Sequence, residues 1–141
     1  MIYLSEFEVI ESISRSQRYE KERNDLLRLF EENQIPCHRS NEFSSYELIE
    51  KRINESDIII GLIDDYWTSS TWKLHEIMWP LEQYNSMSGK ELTPKDRIVI
   101  LFWIEDSICI PLKDIEKNSL SVHDFSEVKT ILENFYQKKL R

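Results

Sequence analysis

Glycine is nearly absent: Gly61 and Gly89 are the only two in 141 residues. That excludes the G-x-G-x-x-G dinucleotide fingerprint and the G-x-x-x-x-G-K-[ST] phosphate loop, which need glycine for tight turns and close backbone approach to phosphate. Any nucleotide has to be held by other means. Cysteine is equally scarce, with Cys37 and Cys109 far apart and each beside apolar residues. Without a secretory signal, two buried free thiols are expected rather than a disulfide. Neither Cys37-His38 nor the isolated His123 has zinc-ligand spacing. Positive charge is in deficit, 18 Lys and Arg against 26 Asp and Glu, a formal net charge of −8. Nucleic-acid affinity rests on Lys and Arg neutralising phosphates, so a broad phosphate-binding face is not expected, and nucleic acid is not an expected partner. A local basic site, for a dinucleotide pyrophosphate for example, stays open.

Long apolar runs are also missing. None approaches the roughly 20 residues that span a bilayer. The opening MIYLSEFEVIESIS is interrupted by acids and has no basic n-region, which argues against a signal peptide. The expected location is the cytoplasm, with no membrane partner. What is present is an ordinary globular balance, 40% hydrophobic and 31% charged residues. A chain of this length suits one domain, residues 1–141, with a core of its own.

Short apolar runs alternate with helical patterns. Ile2-Tyr3-Leu4 reads as a brief first strand. Between Ser16 and Asn33, Tyr19, Leu26, Leu27 and Phe30 stand among Glu, Lys and Arg at amphipathic-helix spacing. Ile35 to His38 reads as a short second strand and Asn41 to Ser45 as a loop. Ser45 is placed to cap a helix that turns Leu48, Ile49 and Ile53 inward. Asp57 to Asp64 (DIIIGLID) is nearly all apolar, the pattern of a strand covered on both faces of a parallel sheet. A helix follows over 68–80, then a second apolar strand from Arg97 to Glu105. The last helix is expected from Ser126 to Leu140, bearing Val128, Ile131, Leu132 and Phe135. This order, β-α-β-α-β-α-β-α, predicts an α/β fold with a parallel sheet between two helical layers. Ser86 to Lys95 is the best candidate for a flexible loop, and no linker or repeat divides the chain.

In open parallel sheets, ligands sit outside the carboxyl ends of the strands. Three segments should therefore converge: Ser5-Glu6-Phe7, Arg39 to Glu42, and Asp64 to Glu76. The last is the richest in chemistry. Thr68, Ser69 or Ser70 can cap the helix. Trp72 and Glu76, four apart, share a helical face, with His75 and Trp79 beside them. Pro80 lacks an N–H and should kink or stop the helix. Spacing alone leaves this a candidate pocket, because a Trp packed beside a solvated Glu is the commoner outcome of such a pair. Asp64-Asp65 offers a cation two acids but no third oxygen ligand, so no metal is expected. A Ser/His/Asp triad can be assembled, yet no G-x-S-x-G elbow supports it.

The run SDIIIGLIDDYWTSSTWKLHE, Ser56 to Glu76, resembles the Toll/interleukin-1 receptor (TIR) domain family. There an apolar strand is followed by an aromatic-containing loop and an S-x-W-x-x-x-E motif, here Ser70, Trp72 and Glu76. The order of elements resembles the family over most of the chain, the motif over about 20 residues, and Arg39 to Ser45 falls where the family has its BB loop. The resemblance implies a flavodoxin-like sandwich and a catalytic Glu76 that cleaves the nicotinamide–ribose bond of NAD, a substrate rather than a cofactor. Nicotinamide departs from a pyridinium as a neutral base, so no proton need be delivered to it. A carboxylate would stabilise the oxocarbenium-like ribose, while Trp72 offers a π-face to a ring. Ser5, Phe7, Tyr66, Asp64 and Ser70 join the expected substrate-binding set through topology and motif. The resemblance further implies a hydrolysed, cyclic or base-exchanged nucleotide product used in bacterial antiphage signalling, and self-association through the BB-like loop. The sequence departs from the family at Ser5-Glu6-Phe7, where a serine-tyrosine continuation is usual, and at Lys73, where many members have Cys.

Two other readings share this pattern. Nucleoside 2-deoxyribosyltransferases have a similar sheet order, and MIYLSEF loosely resembles their first strand. Their glutamate attacks a deoxyribose carbon, but the glycines they carry in the first loop and before that glutamate are missing here. A non-catalytic TIR module acting by self-association is the third, with Tyr66 and Trp67 as exposed aromatics.

Overall fold

The computed structural model describes residues 1–6, 17–40, 45–64, 76–77, 98–104 and 119–141. Five parallel strands form one sheet in the order β2-β1-β3-β4-β5. They are β1 (Ile2–Ser5), β2 (Cys37–Arg39), β3 (Ile58–Ile63), β4 (Ile98–Trp103) and β5 (Leu120–Val122). Three helices are described: α1 (Gln17–Glu32), α2 (Tyr46–Asn54) and α3 (Phe125–Tyr136). This is the α/β sandwich with a parallel sheet that the alternation of patterns predicts, in the flavodoxin-like form that the resemblance implies. Both central strands, β3 and β4, are the long apolar runs of the sequence, and all six residues of β3 are buried.

Period-two alternation divides the sheet between two layers. Ile2, Leu4, Ile58, Ile60, Leu62, Ile100 and Phe102 point into one core cluster, which Tyr19, Leu26, Leu29 and Phe30 of α1 and Val128 and Leu132 of α3 complete. Each such side chain stabilises the fold by about 1.5–3 kcal/mol when taken fully out of water. The buried Ile49 and Ile53 of α2 do not belong to that cluster. Right-handed crossovers place α2 on the opposite face. Glu76 and Ile77, which fall between β3 and β4 in the chain, are helical and fully buried, and Ile77 likewise stands outside that cluster.

Local chemistry accounts for the element ends. Ser45 caps α2, its hydroxyl accepting from the N–H of Leu48 at 3.3 Å, as the sequence predicts. After α1, Gln34 adopts a left-handed conformation (φ 57°) and the N–H of Ile35 donates to the carbonyl of Phe30 at 2.8 Å. This turn occupies residues 33–36, so β2 begins at Cys37 rather than Ile35.

Three expectations need correction. The last helix ends at Tyr136 rather than Leu140, where the left-handed Gln137 (φ 54°) redirects the chain, and Phe135 on it is 36% exposed. Leu140 then enters the core from beyond the helix. Cys37 is a free thiol but only partly buried, since β2 is an edge strand. Strand β5 is an element the pattern did not reveal: two of its three residues are exposed.

Candidate functional site

All five strands point the same way, so their carboxyl ends share one edge of the sheet. The chain moves from β1 outward to β2 and returns across to β3. The strand order therefore reverses between β1 and β3, where open α/β sheets leave a crevice.

Ser5 ends β1 and pairs in register with Gly61 of β3, which pairs with Leu101 of β4. Tyr3, Ser5, Ile59, Gly61 and Ile63 alternate onto the α2 side of the sheet. Ser5 and Gly61 are therefore two adjacent small residues at the carboxyl end of the reversal, on the face that carries Glu76. Both are buried, so other atoms fill the space their short side chains leave.

One residue further, Glu6 is fully buried and tied to the end of β2 in three ways. Its N–H donates to the hydroxyl oxygen of Ser40 at 2.9 Å, and that hydroxyl donates to the carbonyl of Glu6 at 2.7 Å. The Nε of Arg39 donates to a Glu6 carboxylate oxygen in an ion pair. The Arg39 side chain keeps 33% of its surface exposed, while that of Glu6 has none. Among the described residues the Arg39 side chain has no other hydrogen-bond partner. A carboxylate so placed needs this cation, because an isolated buried charge costs several kcal/mol or more.

Asp64 follows β3 and is 3% exposed, and Glu76 is 0% exposed. Ser5, Glu6, Asp64 and Glu76 all take part in further interactions within the fold. Three carboxylates are thus withdrawn from solvent in the segments after β1 and β3, in a class of residue seldom buried without a partner or a task. Among the described residues, no three His, Cys, Asp or Glu side chains are grouped to hold a metal ion. No described helix is long and apolar enough to cross a membrane.

At the other end of the edge, Arg18 of α1 bridges the strands beyond the crevice. It donates to the carbonyl of Ile104, after β4, at 2.7 Å and to the carbonyl of His123, after β5. A separate shallow depression between β5 and α3, lined by Leu120, Val122, Thr130 and Ile131, includes no expected site residue.

The structure thus joins two of the three segments expected to converge, through Glu6, Arg39 and Ser40. Ser5 and Asp64 are at strand carboxyl ends, and Glu76 is in the layer facing Ser5 and Gly61. Phe7, Tyr66, Ser70 and Trp72 lie outside the described residues, as do Asp65, His75, Pro80, Cys109 and positions 41–44 of the expected loop. Sequence reasoning named the Glu6 and Arg39 segments but missed the pair itself. Its signal was an acid just past one short strand and a base at the end of the next.

The fold and this edge define a flavodoxin-like α/β protein with buried carboxylates around its topological reversal. Compared with protein-family models, curated proteins and solved structures, the chain has no match.

Proposed function

We propose that this chain is a TIR-like enzyme that cleaves the nicotinamide–ribose bond of NAD, with Glu76 as its catalytic carboxylate. The observation that carries the proposal is the complete burial of Glu76. A glutamate with no task on an amphipathic helix faces water, where its charge is solvated without cost. Burial imposes a desolvation cost that a catalytic role explains, and buried titratable groups beside a crevice are candidates for chemistry.

In a site of low dielectric, the Glu76 carboxylate would stabilise positive charge developing on the ribose as nicotinamide leaves. Neutral nicotinamide needs no acid, so one carboxylate suffices. Water, a ribose hydroxyl or an adenine nitrogen then completes the reaction, giving ADP-ribose or a cyclic product. The carboxylate has no solvent contact in the single chain, so substrate reaches it only after a rearrangement. Self-association through the loop from Arg39 to Ser45 would supply one. The setting that fits this reading is a cytoplasmic, nucleotide-producing module of antiphage defence.

Incubation of wild type and Glu76→Gln with NAD, at low and high protein concentration, tests this by chromatography and mass spectrometry. Nicotinamide release is expected at high concentration and should fall about 10²–10³-fold or more in the variant, the scale for losing a principal electrostatic group. Equal release from a Glu76→Gln protein with wild-type melting behaviour would sink the assignment. A parallel incubation with a deoxynucleoside and a free base would reveal a transferase through base exchange.

A further inference from the structure

A dinucleotide brings two phosphates to a chain of net charge −8 whose sequence has no glycine-rich phosphate loop. A side-chain cation has to meet them, at the carboxyl edge of the sheet. Among the described residues two arginines are fixed at that edge. Arg18 has committed both terminal nitrogens to the carbonyls of Ile104 and His123. Arg39 has committed only Nε, to Glu6.

We infer that Arg39 is the phosphate-recognising residue of this site, aimed by Glu6, and that its ligand is the diphosphate of a nucleotide. The inference rests on the reading above for the identity of that nucleotide as NAD. Its physical basis is pre-organisation. The carboxylate of Glu6 cannot swing toward water, because the side chain is fully buried and its backbone is clamped on both sides by the Ser40 hydroxyl. Binding Nε to that carboxylate fixes the guanidinium plane. Neither Nη group has a hydrogen bond among the described residues, and a third of the side chain is exposed. A planar fork held in one orientation with its Nη edge unspent matches two phosphate oxygens, a geometry that a flexible ammonium does not reproduce.

The alternative is a pair that only joins β1 to β2. Those strands are already joined by their ladder from Ile2–Cys37 to Leu4–Arg39 and by the Ser40 clamp. A buried ion pair adds little net stability beyond such contacts, so a purely structural role leaves the exposed side of the guanidinium unexplained.

The test is titration calorimetry of ADP and of adenosine into wild type, Arg39→Gln, Arg39→Lys and the double variant Glu6→Gln/Arg39→Gln, with thermal melts of each. The double variant removes both charges together and guards against unfolding caused by an unpaired Glu6. Wild type should prefer ADP over adenosine by about tenfold or more, the worth of a charge-assisted hydrogen bond. Arg39→Gln and the double variant should lose that preference with adenosine binding unchanged, and Arg39→Lys should recover only part of it. No preference in wild type, or a preference retained in a folded variant without Arg39, overturns the inference. NAD turnover in the same proteins separates the two proposals. An Arg39-dependent preference for ADP without NAD cleavage leaves the inference standing and removes the NAD reading. Glu76-dependent cleavage with an unchanged KM in folded Arg39 variants does the reverse.

Discussion

Replacing Gly61 by Val asks whether the sheet surface at that position is filled or hollow. Gly61 lies in register between Ser5 and Leu101, on the face shared with Ile59 and Ile63, and is buried although it has no side chain. Other atoms therefore rest directly on its backbone. An isopropyl group at this position has to displace them, and overpacking a filled site costs about 1–3 kcal/mol. The strand itself favours the change: glycine in a strand interior is poor, and a β-branched residue gains up to about 1 kcal/mol. The net expectation is a loss of about 1–2 kcal/mol, or roughly 3–6 °C in Tm for a domain of this size. Circular dichroism melts with a parallel urea titration would measure it. A Gly61→Val protein that melts at or above the wild-type temperature, with an unchanged urea slope, refutes the reasoning. The surface at Gly61 would then be open space rather than a packed layer.

Ser45→Ala should cost about 1 kcal/mol through loss of the α2 cap, seen as a lower urea midpoint at constant slope. Arg18→Ala removes two charged-donor hydrogen bonds and should destabilise by roughly 1–2 kcal/mol after allowing for its exposure, with faster amide exchange in β5 than in β3. The pH dependence has a definite sign at both ends. The hydroxyl of Ser126 and the N–H of Glu127 hold the Asp124 carboxyl below the ordinary carboxylate range. The stability this contributes is present above the unfolded value of about 3.9 and is lost as pH falls through the lower folded one. Burial, with help from Asp57 and Cys37, raises the Tyr136 phenol. Its contribution is complete below pH of about 10 and fades as pH rises from there through the folded value. Melting temperatures across pH should fall at both extremes, and Asp124→Asn should blunt the acid limb alone.

Elements covered on both sides were the legible ones. Ile58 to Ile63 and Ile98 to Trp103 announce themselves because a central parallel strand needs apolar residues on both faces. Ser45 was legible because a hydroxyl before an apolar helical repeat has a defined task. Leu120 to Val122 was not, since an edge strand with two exposed residues carries no period. Leu140 reaches the core from beyond the helix rather than as its last residue, because helical periodicity does not register a left-handed residue at 137. At the candidate site, the motif pointed to Glu76, and its burial removes the solvated alternative. The Glu6–Arg39 pair depended on register between neighbouring strands, which no single segment encodes.

The sheet order also fixes a timetable. The earliest of the described strands, β1, ends in the interior of the sheet, and both its neighbours come later in the chain. Its second flank is not covered until residue 63 exists, and β3 in turn waits for a strand that ends at 103. Pairings this distant in sequence close slowly and leave apolar strand edges exposed meanwhile. During synthesis the chain has to carry Ile2-Tyr3-Leu4 and IIIGLI uncovered before the sheet can close around them. This protein should therefore refold more slowly than its length suggests, and a nascent-chain chaperone should bind it most strongly before β4 appears.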